Sequence, residues 1–340
     1  MEPGGRVCAD HRDGPLHRST ARTHSIRALL TSGVALATIL AAVATLLGYF
    51  ARRAWLGELA SHFRVQYAWV LAAAAVWWAV RASVPGALVA ASFALVNLSA
   101  ILPLYLPRPR ASQAGSRRTF RALLANVCFS NRSYEAVRRF IDDVNPDLVL
   151  LEEIDDVWLA ALKELAEAYP YSKAVEHRGG FGIALFSRLP FERLDVERFG
   201  KLPIPSLVGQ FVLDGQRVTV IGTHPWSPIS PTYTRLRNQH LEGLASFAAA
   251  LQPAPLLILG DLNATSWTPV FQDVLRIANL RDSRVGFGVQ STWPVGMPLA
   301  RIPIDHCLVS DQIVVHRRWI GPSVGSDHAP LVVECSIHAA

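Results

Sequence analysis

"GDLNATSW" occupies residues 260–267, directly after the apolar run PLLIL at 255–259. An extended chain alternates its side chains, so Asp261 and Asn263 leave the end of that run on the same face. A carboxylate and a carboxamide converging on one point can hold a water, a cation or a phosphate. Gly, Asp and Asn are equally the residues of an ordinary turn. The octamer alone leaves both readings open, and the other strand ends decide between them.

Strand-like runs lie at 120–129, 148–151, 182–186, 217–221, 256–259, 305–309, 312–320 and 331–336, about eight in all. Helical periodicity falls between them at 133–144, 156–168, 233–251 and 269–277. This alternation predicts an α/β or α+β sandwich. Polar residues recur where the strands end. Asn126 lies in LLANV, Glu152 and Glu153 end PDLVLLEE, and His224 follows VTVIGT. Asp305 opens IDHCLV, and Asp327 and His328 fall in GSDHAP just before the last strand. Acids, amides and imidazoles at so many strand ends imply a common pocket. Carboxylates with an amide suit a hard cation such as Mg²⁺ or Mn²⁺. Histidines and an acid beside that ion suit hydrolysis of a phosphate ester.

The N-terminal third reads differently. Overall the chain is 51% hydrophobic, and the excess is concentrated before residue 107. Residues 28–50 carry no charge and are long enough to span a bilayer. Residues 84–106 are similar, and 65–80 form a shorter apolar run flanked by Arg64 and Arg81 with tryptophans near its ends. Three transmembrane helices are expected within 28–106. A signal peptide followed by core helices is the weaker reading, because the first run is longer than a signal's apolar segment and two more runs follow it. Residues 1–27 read as a disordered basic tail, 107–118 as a linker, and 119–340 as the globular domain.

Charge narrows the partners. The net +6 belongs to the N-terminal part: residues 1–121 hold fourteen Arg and four acids, whereas 122–340 balance at −4. A domain that binds a polyanion is expected to carry its own positive excess. Four cysteines, Cys8, Cys128, Cys307 and Cys335, show no metal or disulfide spacing. The last three read as buried free thiols.

GDLN with a later SDH, in this order and with Asn126, Glu153 and His224 upstream, resembles the endonuclease/exonuclease/phosphatase superfamily of deoxyribonuclease-I-like, metal-dependent phosphoesterases. The resemblance covers residues 121–335 and is similar to the bacterial membrane-anchored branch. It implies a four-layer sandwich, two mixed sheets face to face with helices outside. It also implies roles. Asn126, Glu153 and Asp327 would hold the metal, Mg²⁺ or Mn²⁺. His224 would contact the phosphate and serve as general acid, and Asp261 would orient or deprotonate the attacking water. Asn263 would hold the phosphate, Asp305 would bond the final histidine, and His328 would steady the phosphoryl oxygen. Glu152 stands where the family commonly has Gln. Cys128 stands where many of its nucleases have an acid, which leaves a second metal position open. His177, His240, His306, His316 and His338 are left as ordinary core or surface histidines.

The expected function is a membrane-anchored, metal-dependent phosphoesterase acting on a nucleic acid, a lipid head group or a small phosphoester. Two alternatives stand beside it: an inactive membrane scaffold or sensor of the same fold, and a sphingomyelinase-like lipid phosphodiesterase. No protein partner is evident. The first span has the more basic N-terminal flank, five Arg against three. That favours a cytoplasmic N-terminus in the cytoplasmic membrane, with the catalytic domain outside it.

Overall fold

A computed structural model describes residues 15–107, 118–177 and 179–338. Residues 1–14 of the expected tail, most of the expected linker and Cys8 lie outside the described residues.

The chain opens with four helices: α1 (Pro15–Gly48), α2 (Trp55–Ser61), α3 (Arg64–Val80) and α4 (Val84–Ile101). The expected disordered tail is therefore helical from Pro15 onward. Ser25–Gly48 and Val84–Leu104 are long and apolar enough to cross a membrane. The third expected span depends on geometry: α2 and α3 meet at 68° and give one more span only if the bent pair counts together. The 17 residues of α3 reach about 25 Å at helical rise, somewhat short of a hydrocarbon core. Polar contacts set the helix directions. Asn97 Nδ2 donates to Thr45 Oγ1 at 2.8 Å, near the C-terminal ends of α4 and α1. Trp78, near the end of α3, reaches back to Thr38, and Arg64 at its start lies over the Tyr49 ring. So α1 runs parallel to α4 and antiparallel to α3.

The following domain contains β1 (Phe120–Asn126), α5 (Tyr134–Val144), β2 (Leu148–Glu152), α6 (Asp156–Ala161), α7 (Leu165–Ala168), β3 (Tyr171–Val175) and β4 (Ile183–Ser187). Next come β5 (Phe191–Arg198), β6 (Pro205–Leu213), β7 (Gln216–Thr223), α8 (Pro231–Ala250) and β8 (Leu256–Asp261). The last elements are α9 (Pro269–Ala278), β9 (Arg281–Asp282), β10 (Asp305–Val309), β11 (Ile313–Ile320) and β12 (Leu331–Ile337). Two six-stranded mixed sheets result, ordered β11-β12-β1-β2-β4-β3 and β5-β6-β7-β8-β10-β9. Strand alternation sorts the side chains between layers. Ala122 and Leu124 of β1 enter the core between the sheets with Leu150, Leu185, Phe211 and Leu259. Leu123 and Ala125 face outward onto Val137 and Ile141 of α5. On the far sheet, Ile258 and Leu308 pack against Leu244 of α8 and Phe271 of α9. The four-layer sandwich is complete.

Local chemistry fixes the helix ends. Ser230 accepts the Tyr233 N–H ahead of α8, with Pro231 in the first helical position. Asp155 accepts the Trp158 N–H at 2.8 Å and caps α6. The expected helix 156–168 is broken into α6 and α7 by a turn at 162–164. The expected strand 120–129 stops at Asn126, so Cys128 lies in the following turn, half-buried, with Sγ 3.2 Å from Ser130 Oγ. It is not a strand thiol of the core like Cys307 and Cys335.

Candidate active site

Sheet register gathers the polar strand ends. Asn126 stands opposite Glu152 in the parallel β1–β2 pair, and Asp261 opposite Asp305 in the antiparallel β8–β10 pair. Gly260 allows β8 to run beside β7 at this edge. A Cβ there would lie 1.9 Å from the Thr223 carbonyl oxygen, a contact that no other residue avoids.

Left-handed turns then aim the side chains. Cys128, Glu153 and Asn263, following β1, β2 and β8, have φ of 57°, 60° and 50°. That region costs a residue other than glycine on the order of 1 kcal/mol or more. The turn at Glu153 gives two adjacent acids different surroundings. Glu152 is fully buried and accepts the Asp261 N–H at 3.0 Å. Burial, and next the Asp261 carboxylate, push Glu152 well above the usual carboxylate range. Glu153 instead lines the pocket. It accepts Asn126 Nδ2 at 2.9 Å and the Phe129 N–H at 3.3 Å.

Asp261 lies at the centre. Its Oδ2 is 3.6 Å from His224 Nε2, 3.7 Å from His328 Nε2 and 3.4 Å from Asn126 Nδ2. Its Oδ1 accepts the Asn263 N–H at 2.9 Å. Burial raises the Asp261 carboxyl against the opposing pull of His328. Behind His328, Nδ1 donates to Asp305 Oδ2 at 2.9 Å. Burial disfavours a charged His328, yet Asp305 and Asp261 outweigh it and raise its pKa. Burial moves His224 the other way, against the pull of Glu153, and favours its neutral form. Asn263 donates Nδ2 to the Pro225 carbonyl at 3.1 Å. Asp327 is exposed at the pocket edge and accepts Trp293 Nε1 at 2.9 Å.

Among the described residues, ligand-type atoms of Asp261, Asp305 and His328 lie within 4.8 Å of one another. In that group His328 Nδ1 is already engaged by Asp305. Glu153 and Asp327 line the same pocket outside the group. Asn126 turns its amide nitrogen to Glu153 and Asp261 and its oxygen to the Cys128 N–H at 3.1 Å. As placed, it ties two carboxylates together. The donors are mostly carboxylate oxygens, and they outnumber the one imidazole favoured as a cation. That set fits a hard divalent ion.

Several pocket residues were not legible as functional. Leu59, His62 and Phe63 come from α2 and the bend after it, and Phe181 and Trp293 from loops of the domain. Glu58, the only acid between Asp13 and Glu135, was the available sign that α2 has a task. Trp267 is not in the pocket: it packs with Leu104 and Ala68, and its Nε1 donates to the His62 carbonyl at 3.3 Å. His306 is a core histidine bonded to the Ala264 carbonyl and to Arg284. Arg284 in turn donates to the Asp305 carbonyl at 2.9 Å and steadies the start of β10.

A four-layer sandwich with acids and imidazoles converging at one sheet edge is the architecture of a class of phosphoester hydrolases. A model described as the Endonuclease/Exonuclease/phosphatase family matches residues 123–328, and the chain belongs to this family. The fold is similar to that of an endonuclease/exonuclease/phosphatase from Bacteroides vulgatus, with a TM-score of 0.57 at 16% identity, covering 65% of this chain and 100% of that one. D. rerio TDP2, complexed with single strand DNA product, gives 0.55 at 16% identity over 64% of this chain and 99% of that one. The human Nocturnin catalytic domain with bound sulfate gives 0.54 at 19% over 66% and 96%. At these identities the likeness is one of fold. No curated protein matches the chain in sequence.

Proposed function

We propose that this chain is a membrane-anchored, divalent-metal-dependent phosphoesterase that hydrolyses its substrate by water attack. The observation that carries the reading is Asp261 lying between two imidazoles, 3.6 Å from His224 and 3.7 Å from His328, with Asp305 behind the second at 2.9 Å. Asp261 orients the attacking water and takes its proton. His328, held as a cation by Asp305, donates Nε2–H to a phosphoryl oxygen as charge develops there. His224 faces the same point and serves the departing oxygen, while the Asn263 amide steadies the phosphoryl group. Glu153 and Asp327, with Asn126 beside them, would hold Mg²⁺ or Mn²⁺, which supplies Lewis acidity and charge neutralisation when bound. The scaffold alternative is disfavoured because every expected position except that of Cys128 is filled.

The helix directions support three membrane crossings with the domain on the side opposite the N-terminus. Arg52, Trp55, Gln66 and Leu104 all bond to the domain. They mark the end of α1, the start of α3 and the end of α4 as one common side. With a cytoplasmic N-terminus, that side is outside the cytoplasmic membrane. A C-terminal alkaline phosphatase fusion should then be active and a C-terminal fluorescent-protein fusion dark; the opposite pair reverses the orientation.

The test of the chemistry uses the full chain in detergent. It should cleave bis-p-nitrophenyl phosphate with Mg²⁺ or Mn²⁺ and stop on addition of chelator. Turnover indifferent to chelator would refute the metal-dependent reading.

A further inference from the structure

The catalytic pocket is a cavity of about 570 Å³, and one of its walls comes from the membrane-side helices. Leu59, His62 and Phe63 face the same space as Glu153, Asp261 and His328. Three bonds hold that wall in place. Trp55 Nε1 donates to the Pro228 carbonyl at 2.9 Å, Trp267 Nε1 to the His62 carbonyl at 3.3 Å, and Arg237 to the buried Glu58 carboxylate.

Apart from its polar floor the pocket is apolar, lined by Phe129, Phe181, Trp226, Ile229, Ile302 and Ile304. No Lys or Arg lines it among the described residues. A polymer with a phosphate at every residue needs a track of such cations, whereas a molecule with one phosphate and a long apolar part does not.

The mouth of the pocket carries apolar side chains into solvent on the side of the membrane helices. Ile229 is 69% exposed, next to the Pro228 carbonyl that Trp55 binds. Leu299 and Met297 are 93% and 59% exposed. They form the tip of a loop whose Trp293 and Ile302 pair at its base and line the pocket. Gln66, at the start of α3, fixes this loop through the Arg301 carbonyl at 2.8 Å. Grouped apolar tips beside spanning helices are suited to the interfacial zone of a bilayer, where their exposure to water would end.

We infer that the substrate is a bilayer phospholipid. Its phosphate reaches Asp261, His224 and His328 from the membrane face, and its acyl-bearing part lies along Leu59, Phe63 and Ile229. The inference rests on the phosphoesterase reading and on α1 and α4 as spans. Water adds to phosphorus, one ester P–O bond breaks, and the departing oxygen takes a proton, so water is the only co-substrate.

The experiment places the full chain, with Mg²⁺, in vesicles of phosphatidylcholine, phosphatidylglycerol and phosphatidic acid. Products are followed by mass spectrometry, beside the dihexanoyl analogues of the same lipids, single-stranded DNA and bis-p-nitrophenyl phosphate. At least one long-chain lipid should be cleaved with kcat/KM on the order of 10² above its dihexanoyl analogue, reflecting burial of the extra methylenes. Leu299→Glu and Phe63→Ser should each lower the ratio of lipid to bis-p-nitrophenyl phosphate turnover about tenfold. Cleavage of bis-p-nitrophenyl phosphate without chain-length preference, an unchanged ratio in both variants, or faster cleavage of DNA overturns the lipid inference and leaves the phosphoesterase reading standing. No metal-dependent cleavage of any substrate overturns both.

Discussion

Glu58 of α2 and Arg237 of α8 form an ion pair closed off from water, with 3% and 0% of their side chains exposed. Arg237 also donates Nη1 to the Asn263 carbonyl at 2.5 Å. The pair therefore ties the N-terminal helices to the turn in which GDLN ends. It makes those helices part of the folded domain.

Glu58→Ala leaves a buried guanidinium without its carboxylate and should cost about 3–5 kcal/mol of stability. Combining Glu58→Leu with Arg237→Met removes both charges and should recover most of the loss. Thermal melts of the full chain in detergent read both outcomes. A single variant that melts like the parent would show that the pair is not a buried one. For the same reason residues 119–340 expressed alone should aggregate, because they retain Arg237, Trp267 and Val289 but lack the helices that cover them.

The neighbouring acids of β2 and its turn should separate cleanly. Burial pushes Glu152 toward its neutral form, and Glu152→Gln keeps its shape and its acceptor for the Asp261 N–H. Melting and turnover should stay within a small factor of the parent. Glu153→Gln removes a carboxylate that lines the pocket and should lower turnover on the order of 10². The reverse ranking would exchange their roles.

Asp261→Asn and His328→Ala should each lower kcat by on the order of 10² or more while the far-UV spectrum is retained, since both groups act on the transition state. Asp305→Asn weakens the charge held behind His328 at 2.9 Å and should lower kcat with little change in KM. Near-parental kcat in Asp261→Asn and His328→Ala would remove the site assignment.

Acid should loosen the domain through its buried neutral histidines. Burial, together with His224, lowers His240 from 6.5 to about 3, and burial with Arg284 lowers His306 likewise to about 3. A folded-state pKa below the unfolded one means that the unfolded chain binds more protons at intermediate pH. Stability is then full above about 6.5 and falls as pH drops toward 3. Each histidine contributes a slope of up to about 1.4 kcal/mol per pH unit. His240→Gln, whose amide can still bond Thr223, should flatten the decline by one histidine's share in denaturant titrations between those limits. An unchanged slope would mean that His240 is protonated without cost.

Much of this molecule was legible along the chain because the signals are local. The run into Asp261 and Asn263, the acids after β2 and the SDH triplet each announce a strand end by composition. The apolar runs 28–50 and 84–106 announce themselves by length. The strands not read were those whose local signal is ambiguous. β5 has no fully buried residue and carries charges at 192, 193, 195, 197 and 198, and β3 likewise has no fully buried residue. β6 is mostly buried but contains Pro205 and Gly209, which read as breakers. The resemblance singled out Glu153 over Glu152, and the tertiary structure supplies the physical reason: one left-handed φ of 60° turns Glu153 into the pocket and leaves Glu152 buried. Tertiary structure alone decided that α2 closes the pocket. Periodicity tells a segment that it must bury a face. The surface it finds, here 179 residues away at Arg237, is fixed only when the whole chain competes for contacts.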